Sequence, residues 1–208
     1  MVKQIFRYLK GTLDWRLEYK HDDKTIKVFS DADWAGPGEG GLSTTVLLVF
    51  LGGGPVIYAS RRQTAIALSS TEAEYIASSE AARELTWLRQ LLGGIEYYHP
   101  LPTLYIDNKS TLRLLENSDT KNRTRHIDLR YHYVRQQLKL RQFEARYVES
   151  GDQPADLLTK PMSGKKIKEL VEKASILKTN ESGQLGHKKT TIYHLPRSIC
   201  ALNKHENR

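Results

Sequence analysis

Between residues 26 and 60 the apolar positions either alternate or run together in short β-branched blocks. Residues 26–33, Ile-Lys-Val-Phe-Ser-Asp-Ala-Asp, alternate as a half-buried strand does, and Thr44 to Leu51 is a β-branched and apolar block suited to a second strand. Gly52-Gly53-Gly54-Pro55 forms a tight connection into a third strand, Val56 to Ser60. Three strands with short links predict an antiparallel meander. From Ser70 to Leu92 the period becomes helical; Ser69, Ser70 or Thr71 can cap the start and Gly93-Gly94 ends it. Leu104 to Asp107 and Phe143 to Val148 read as strands, and Ser110 to Glu116 and Ile127 to Leu140 as helices. Asp152-Gln153-Pro154 opens a last helix, with Asp152 as its cap and Pro154 in its first turn. The order β-β-β-α-β-α-α-β-α predicts an α/β fold, in which a mixed five-stranded sheet joins the meander to parallel strands and carries flanking helices.

The ends of the chain read differently. Residues 1–20 predict a short amphipathic helix (Ile5, Phe6, Leu9) stopping at Gly11, then a strand over Arg16 to Tyr19. Beyond about Ser175 the chain turns polar and loses periodicity, so a mostly disordered tail is expected there. The domain reading is therefore a connecting segment at 1–22, one folded domain at 23–172, and a tail at 173–208.

The helix from Ser70 carries an acid where none is cheap. At 100° per residue, Ala77, Ala81, Leu85, Leu88 and Leu92 all lie within about 60° of Glu74. That stripe must face the sheet, so Glu74 is placed on the buried side, a costly position unless it is paired or binds a cation. Glu72 lies about 160° away, as a solvated first-turn acid that the helix dipole favours. Asp31 ends the first strand of the meander and Asp107 ends the fourth strand, and strand ends near a topological switch are where such sheets build sites. Taken singly, either Asp is by default a turn former. Asp156, in the first turn of the last helix, is equally ordinary by itself. Converging at one edge of the sheet, four such acids require cations, and Mg²⁺ suits carboxylate and water oxygens. Two Mg²⁺ about 3.5–4 Å apart form the clamp used in phosphodiester hydrolysis, and Mn²⁺ can substitute.

Composition narrows the class. Hydrophobic residues make up 39% and charged residues 27% of the 208 residues, as in soluble globular proteins. No apolar run approaches the roughly 20 residues a membrane span needs, and the N-terminus lacks the pattern of a secretory signal. The expectation is an intracellular protein, cytoplasmic or nuclear, without a membrane partner. The single cysteine, Cys200, excludes an internal disulfide framework and a Cys-based zinc cluster. The net charge of +8 makes nucleic acid the first candidate partner. Much of that charge falls in one stretch, including Lys109, Arg113, Lys121, Arg123, Arg125, Arg130, Arg135 and Lys139.

Several segments then occur in a telling order: Ser30-Asp-Ala-Asp-Trp-Ala-Gly36, Ser60-Arg-Arg-Gln63, Leu68-Ser-Ser-Thr-Glu-Ala-Glu-Tyr75, Leu104-Tyr-Ile-Asp-Asn108, Arg123-Thr-Arg-His-Ile-Asp-Leu-Arg-Tyr-His132 and Asp152-Gln-Pro-Ala-Asp-Leu-Leu-Thr-Lys-Pro161. Together they resemble the ribonuclease H domain of copia-type (Ty1/copia) retrotransposon Pol polyproteins, over roughly residues 3–170. The segment Arg7-Tyr-Leu-Lys-Gly-Thr12 resembles the connection from the upstream reverse transcriptase of the same polyprotein. The resemblance implies a ribonuclease H-like fold and an endonuclease that hydrolyses the RNA strand of RNA–DNA hybrids with two metal ions during reverse transcription. It places the catalytic and metal-binding acids on Asp31, Glu74, Asp107 and Asp156. Two departures stand out. Pro37-Gly-Glu-Gly-Gly-Leu-Ser-Thr-Thr45 replaces the family's usual charged loop, and Asn122 stands where the family often has His.

Phosphate contacts hold a hybrid, while its sequence is not read. Lys109, Arg123, Arg125 and Arg130 are the candidates for those contacts, and Asn108 is a candidate for a sugar 2′-hydroxyl; a solvated face is the competing reading for each. Arg61, Arg62 and Gln63 are further candidates for the groove edge, whereas Trp34, Trp87 and Tyr75 are expected in the core. The competing function is a catalytically inactive nucleic-acid-binding relic, favoured by the altered loop and the unmatched tail. Strand transfer on the same fold is disfavoured by the Ala-Glu-Tyr and Ala-Asp-Leu-Leu contexts.

Overall fold

In a computed structural model the described residues are 2–35, 40–116, 128–159, 164–174, 176–178 and 191–193. The elements run α1 (Val2–Gly11), β1 (Trp15–Tyr19), β2 (Lys27–Asp33), β3 (Thr44–Leu51), β4 (Gly54–Arg62), α2 (Ser70–Gly94), β5 (Thr103–Ile106), α3 (Lys109–Glu116), α4 (Asp128–Lys139) and β6 (Glu144–Tyr147). Two 3₁₀ turns, Ser150–Asp152 and Pro154–Leu158, lead on to α5 (Gly164–Lys173), β7 (Ile176–Lys178) and β8 (Thr191–Tyr193).

Five strands form one sheet in the order β4-β3-β2-β5-β6. The meander β2-β3-β4 is antiparallel, whereas β2-β5 and β5-β6 are parallel. This is the mixed sheet expected from the alternation of strands and helices. The parallel register pairs Phe29 with Tyr105 and Ser30 with Ile106. The residues that follow are Asp31, which stays paired with Val46 of β3, and Asp107, just past the end of β5, so the parallel register brings the two aspartates side by side. Beneath them the rings of Phe29 and Tyr105 stack at 4.9 Å.

The β3-to-β4 turn needs its glycines. Gly52 and Gly53 have φ of +67° and +76°, which other residues adopt at a cost. Gly54 lies so close to β1 that an added Cβ would meet Tyr19 Cε1 at 2.8 Å and the Glu18 carbonyl at 2.9 Å. Tyr19 secures the approach by donating its hydroxyl to the Pro55 carbonyl at 2.7 Å.

The helical stripe is buried as its periodicity requires. Ala77, Ala81 and Leu85 are 0% exposed, Leu88 6% and Leu92 7%; Ala81 and the three leucines pack with Val28, Leu47, Val49, Leu104 and Ile106, and Ala77 packs with Ala32, Ala73 and Ile76. Ser69 is the cap of α2: its hydroxyl accepts from the Glu72 N–H at 3.2 Å, while Glu72 Oε2 accepts from the Leu68 N–H at 2.9 Å. The two bonds close the helix start reciprocally.

Four expectations need correction. Asp152 caps no α-helix; it sits in a 3₁₀ turn and pairs with Lys173. The segment Pro154–Leu158 is likewise 3₁₀, and the α-helix begins only at Gly164. Trp34 and Trp87 are about half exposed, unlike Tyr75 at 0%. Trp87 lies about 140° round the helix from Glu74, off the buried stripe, and Trp34 is anchored at the surface by its Nε1 donating to the Ala67 carbonyl at 3.0 Å. Gln63 is buried rather than at a groove edge, its Nε2 donating to Thr45 Oγ1 and the Ala73 carbonyl. Within the stretch expected to lack structure, Ile176–Lys178 and Thr191–Tyr193 are strands that pair with β1 on its two sides. An edge with open N–H and C=O groups attracts such short β-branched segments.

Candidate metal centre and nucleic-acid interface

Three elements deliver the acids. The end of β2 carries Asp31, the first turn of α2 carries Glu74, and the residue after β5 is Asp107. One carboxylate oxygen from each lies within 4.8 Å of the others. Asp31 is 1% exposed and Glu74 6%, so two of the three carboxylates are removed from water.

Each acid is held by a neutral donor. The Ala32 N–H donates to Glu74 Oε1 at 3.2 Å, the Thr159 hydroxyl to Asp31 Oδ2 at 2.8 Å, and the Ser150 hydroxyl to Asp107 Oδ2 at 3.0 Å. Glu74 Oε2 is buried and receives no hydrogen bond among the described residues. Burial pushes the Glu74 carboxyl up to about 9, the negative charges of Asp31 and Asp107 add to the rise, and the Ala32 N–H opposes it. A buried carboxylate with a bare oxygen beside two more acids is an arrangement that a cation relieves. All the donors are oxygens, which fits a hard divalent ion of the Mg²⁺ class rather than a soft metal.

Asp156 stands outside this group of three. It is the third residue of the Pro154–Leu158 turn and is 8% exposed. Two bonds link its turn to β2: Gln153 Nε2 donates to the Ser30 carbonyl at 2.9 Å, and Thr159 reaches Asp31. The same Thr159 hydroxyl lies 3.3 Å from the Asp156 carbonyl.

Of the candidate substrate contacts, Asn108 and Lys109 adjoin the acids. Asn108 Oδ1 accepts from the N–H groups of Ser110 and Thr111 at 2.9 and 3.0 Å, which makes Asn108 the cap of α3. Lys109 Nζ sits over the Tyr147 ring, 4.7 Å from its centre. Arg123 and Arg125 lie outside the described residues, as do residues 36–39 of the altered loop, and Arg130 is described only as part of the α4 backbone. Thr159, Ser150 and Gln153 were not singled out from the sequence. Hydroxyls and amides carry no periodic signature, and here their partners are more than 40 residues away.

This sheet order with these helices is the ribonuclease H-like fold. LC11-RNase H1, isolated from compost, matches with a TM-score of 0.51 over 73% of this chain and 98% of that one, at 14% identity. By sequence the chain is a homologue of copia-type retrotransposon Pol polyproteins. It is 37% identical over 173 residues to the retrovirus-related Pol polyprotein from transposon TNT 1-94 of Nicotiana tabacum, covering 82% of this chain. It is 36% identical over 184 residues to that from transposon RE2 of Arabidopsis thaliana, covering 87% of this chain. The chain spans 13% of the length of each. No protein-family model matches it. Among the described residues no helix is long and apolar enough to cross a membrane.

Proposed function

We propose that this chain is a metal-dependent endonuclease of ribonuclease H type that hydrolyses the RNA strand of RNA–DNA hybrids. The observation that carries the reading is the convergence of Asp31, Glu74 and Asp107 within 4.8 Å, with Glu74 Oε2 buried and bare. Those three residues would hold the cation, and Asp156, on the adjoining turn, would serve a second ion. Mg²⁺ is the natural occupant, with Mn²⁺ able to substitute. Bound there, a divalent pair supplies an activated water and offsets the charge that develops on the scissile phosphate. The chain's own part is to keep the carboxylates close, desolvated and aligned before substrate arrives. Lys109 and Asn108 lie at the edge of the cluster, where a hybrid's backbone and 2′-hydroxyls would pass. Arg123, Arg125 and Arg130 would add phosphate contacts from the segment that follows α3.

In the full polyprotein the reaction would belong to reverse transcription, inside the cell, with residues 1–22 joining an upstream reverse transcriptase to the domain at 23–172 and residues 173–208 lying beyond it. The test is cleavage of an end-labelled RNA–DNA hybrid by the 208-residue chain with Mg²⁺ or Mn²⁺, beside Asp31→Asn and Asp107→Asn. The expected result is nicking of the RNA strand alone, lost in both variants. Hybrid binding without cleavage in either metal would instead identify a nucleic-acid-binding relic.

A further inference from the structure

The three clustered acids differ in what holds them. Glu74 is tied by the backbone N–H of Ala32, whereas Asp31 is tied by a side chain, Thr159. The Thr159 hydroxyl has one proton to give. At 2.8 Å the Asp31 carboxylate takes it in preference to the neutral Asp156 carbonyl at 3.3 Å. Asp31 is thus held through Oδ2 by a donor without charge. A Lys or Arg in that place would hold the carboxylate too, but would repel a cation. A Thr is stiff at χ1, so the hydroxyl is itself fixed. Thr159 also ends the turn that carries Asp156, and Gln153 clamps the start of that turn to the Ser30 carbonyl. Two bonds therefore tie the Asp156 turn to β2, the Gln153 amide at Ser30 and the Thr159 hydroxyl at the Asp31 carboxylate itself.

We propose that Thr159 is a positioning residue for the cation site: it fixes the Asp31 carboxylate against the Asp156 turn, and cation affinity depends on its hydroxyl. Ser150 plays the corresponding part for Asp107 from a more exposed position, with a smaller effect. The inference rests on the proposed metal-dependent function. Groups that orient metal ligands in this way change metal affinity by about 10–100-fold when removed.

The test is Mn²⁺ binding, read by the loss of the free-ion paramagnetic resonance signal, on the full chain without nucleic acid. The wild type, Thr159→Val, Thr159→Ser and Asp31→Asn are compared, and the melting temperature of each metal-free protein is recorded alongside. Val keeps the shape and loses the hydroxyl; Ser keeps the hydroxyl. Thr159→Val is expected to bind Mn²⁺ about 10–100-fold more weakly while still melting cooperatively, and Thr159→Ser to bind within about threefold of wild type. A packing role alone would lower the melting temperature of Thr159→Val and leave its Mn²⁺ affinity unchanged, which would overturn the inference while leaving the metal site standing through Asp31→Asn. If Thr159→Val fails to fold, Thr159→Ser together with Thr159→Ala decides: equal affinity in those two overturns the inference. A wild-type chain that binds no Mn²⁺ would remove both the inference and the function on which it rests.

Discussion

On one face of the five-stranded sheet, α2 lays Ala81, Leu85, Leu88 and Leu92 over Val28, Leu47, Val49, Leu104 and Ile106, every one of them buried. On the other face the buried apolar cluster among the described residues is Leu48, Phe50 and Ala174, with Phe29 and Leu157 only partly covered. The first face is a continuous apolar seal. The second is thin and is stitched by polar bonds from the Pro154–Leu158 turn and Thr159. The acids lie where the two meet, at the ends of β2 and β5. Stability is thus concentrated on one side of the sheet, which leaves the other free to spend its contacts on aligning charged groups. The same division is why Glu74 can be buried: α2 is anchored by its stripe further along the helix, and its first turn carries the cost of the acid.

The largest effect should fall on chemistry with little change in fold. Asp31→Asn keeps an acceptor for the Thr159 hydroxyl and removes one charge, so hybrid cleavage should fall by about 10³-fold or more, equivalent to about 4 kcal/mol of barrier. The circular dichroism spectrum should be unchanged. On the sealed face the opposite pattern is expected: Leu85→Ala should cost roughly 2–5 kcal/mol in urea unfolding. Leu157→Ala, on the thin face, should cost about 1 kcal/mol or a little more. Equal losses at the two sites would break the division between the faces.

Much of the sealed face was legible in the sequence and much of the thin one was not. Periodicity marks Glu74 and its apolar stripe on one side of α2, and β3 spans the Thr44–Leu51 block that its β-branched run defines. Asp31 near the end of β2 and Asp107 just after β5 fall at strand ends that alternation alone could place, and the parallel register then puts them together. The Pro154–Leu158 segment was expected to open an α-helix because Pro in a first turn and an Asp before it suit either helix type. Tertiary contacts decide between them: Gln153 bonds to Ser30, and Pro154, Ala155 and Asp156 are buried against the sheet. Such long-range polar bonds have no period to read. Trp34 and Trp87 misled for a related reason, since size alone suggests burial while helical position and a surface hydrogen bond govern where they sit.

Glu74 sharpens the comparison through pH. Its carboxyl is raised from an ordinary 4.5 to about 9, so between those values the folded chain holds a proton that the unfolded chain has lost. With more protons bound in the native state, metal-free stability must fall as pH rises through that window. Glu74→Gln removes the dependence and still offers an oxygen to the Ala32 N–H. It should therefore stabilise the metal-free protein by roughly 1–3 kcal/mol at pH 8 and make little difference near pH 4.5. Urea unfolding at both pH values checks this; destabilisation at pH 8 would mean that the acid is accommodated without a cation. Adding Mn²⁺ should reverse the order of the two proteins, since a cation rewards the carboxylate alone.

The smallest effect concerns Asn108, which stands between the fold and the proposed substrate groove. Its Oδ1 is committed to the N–H groups of Ser110 and Thr111, so Asn108→Ala should cost about 1 kcal/mol by uncapping α3. Asn108→Ser restores an oxygen at the cap and leaves out the amide N–H₂ that a sugar hydroxyl would meet. Its stability should lie within about 0.5 kcal/mol of wild type. Any rise in KM for the hybrid that persists in Asn108→Ser then belongs to substrate contact, because the cap is intact. A KM that recovers fully with Ser would assign Asn108 to the fold alone, and would leave Lys109, with its ammonium over the Tyr147 ring, as the nearer candidate for the backbone.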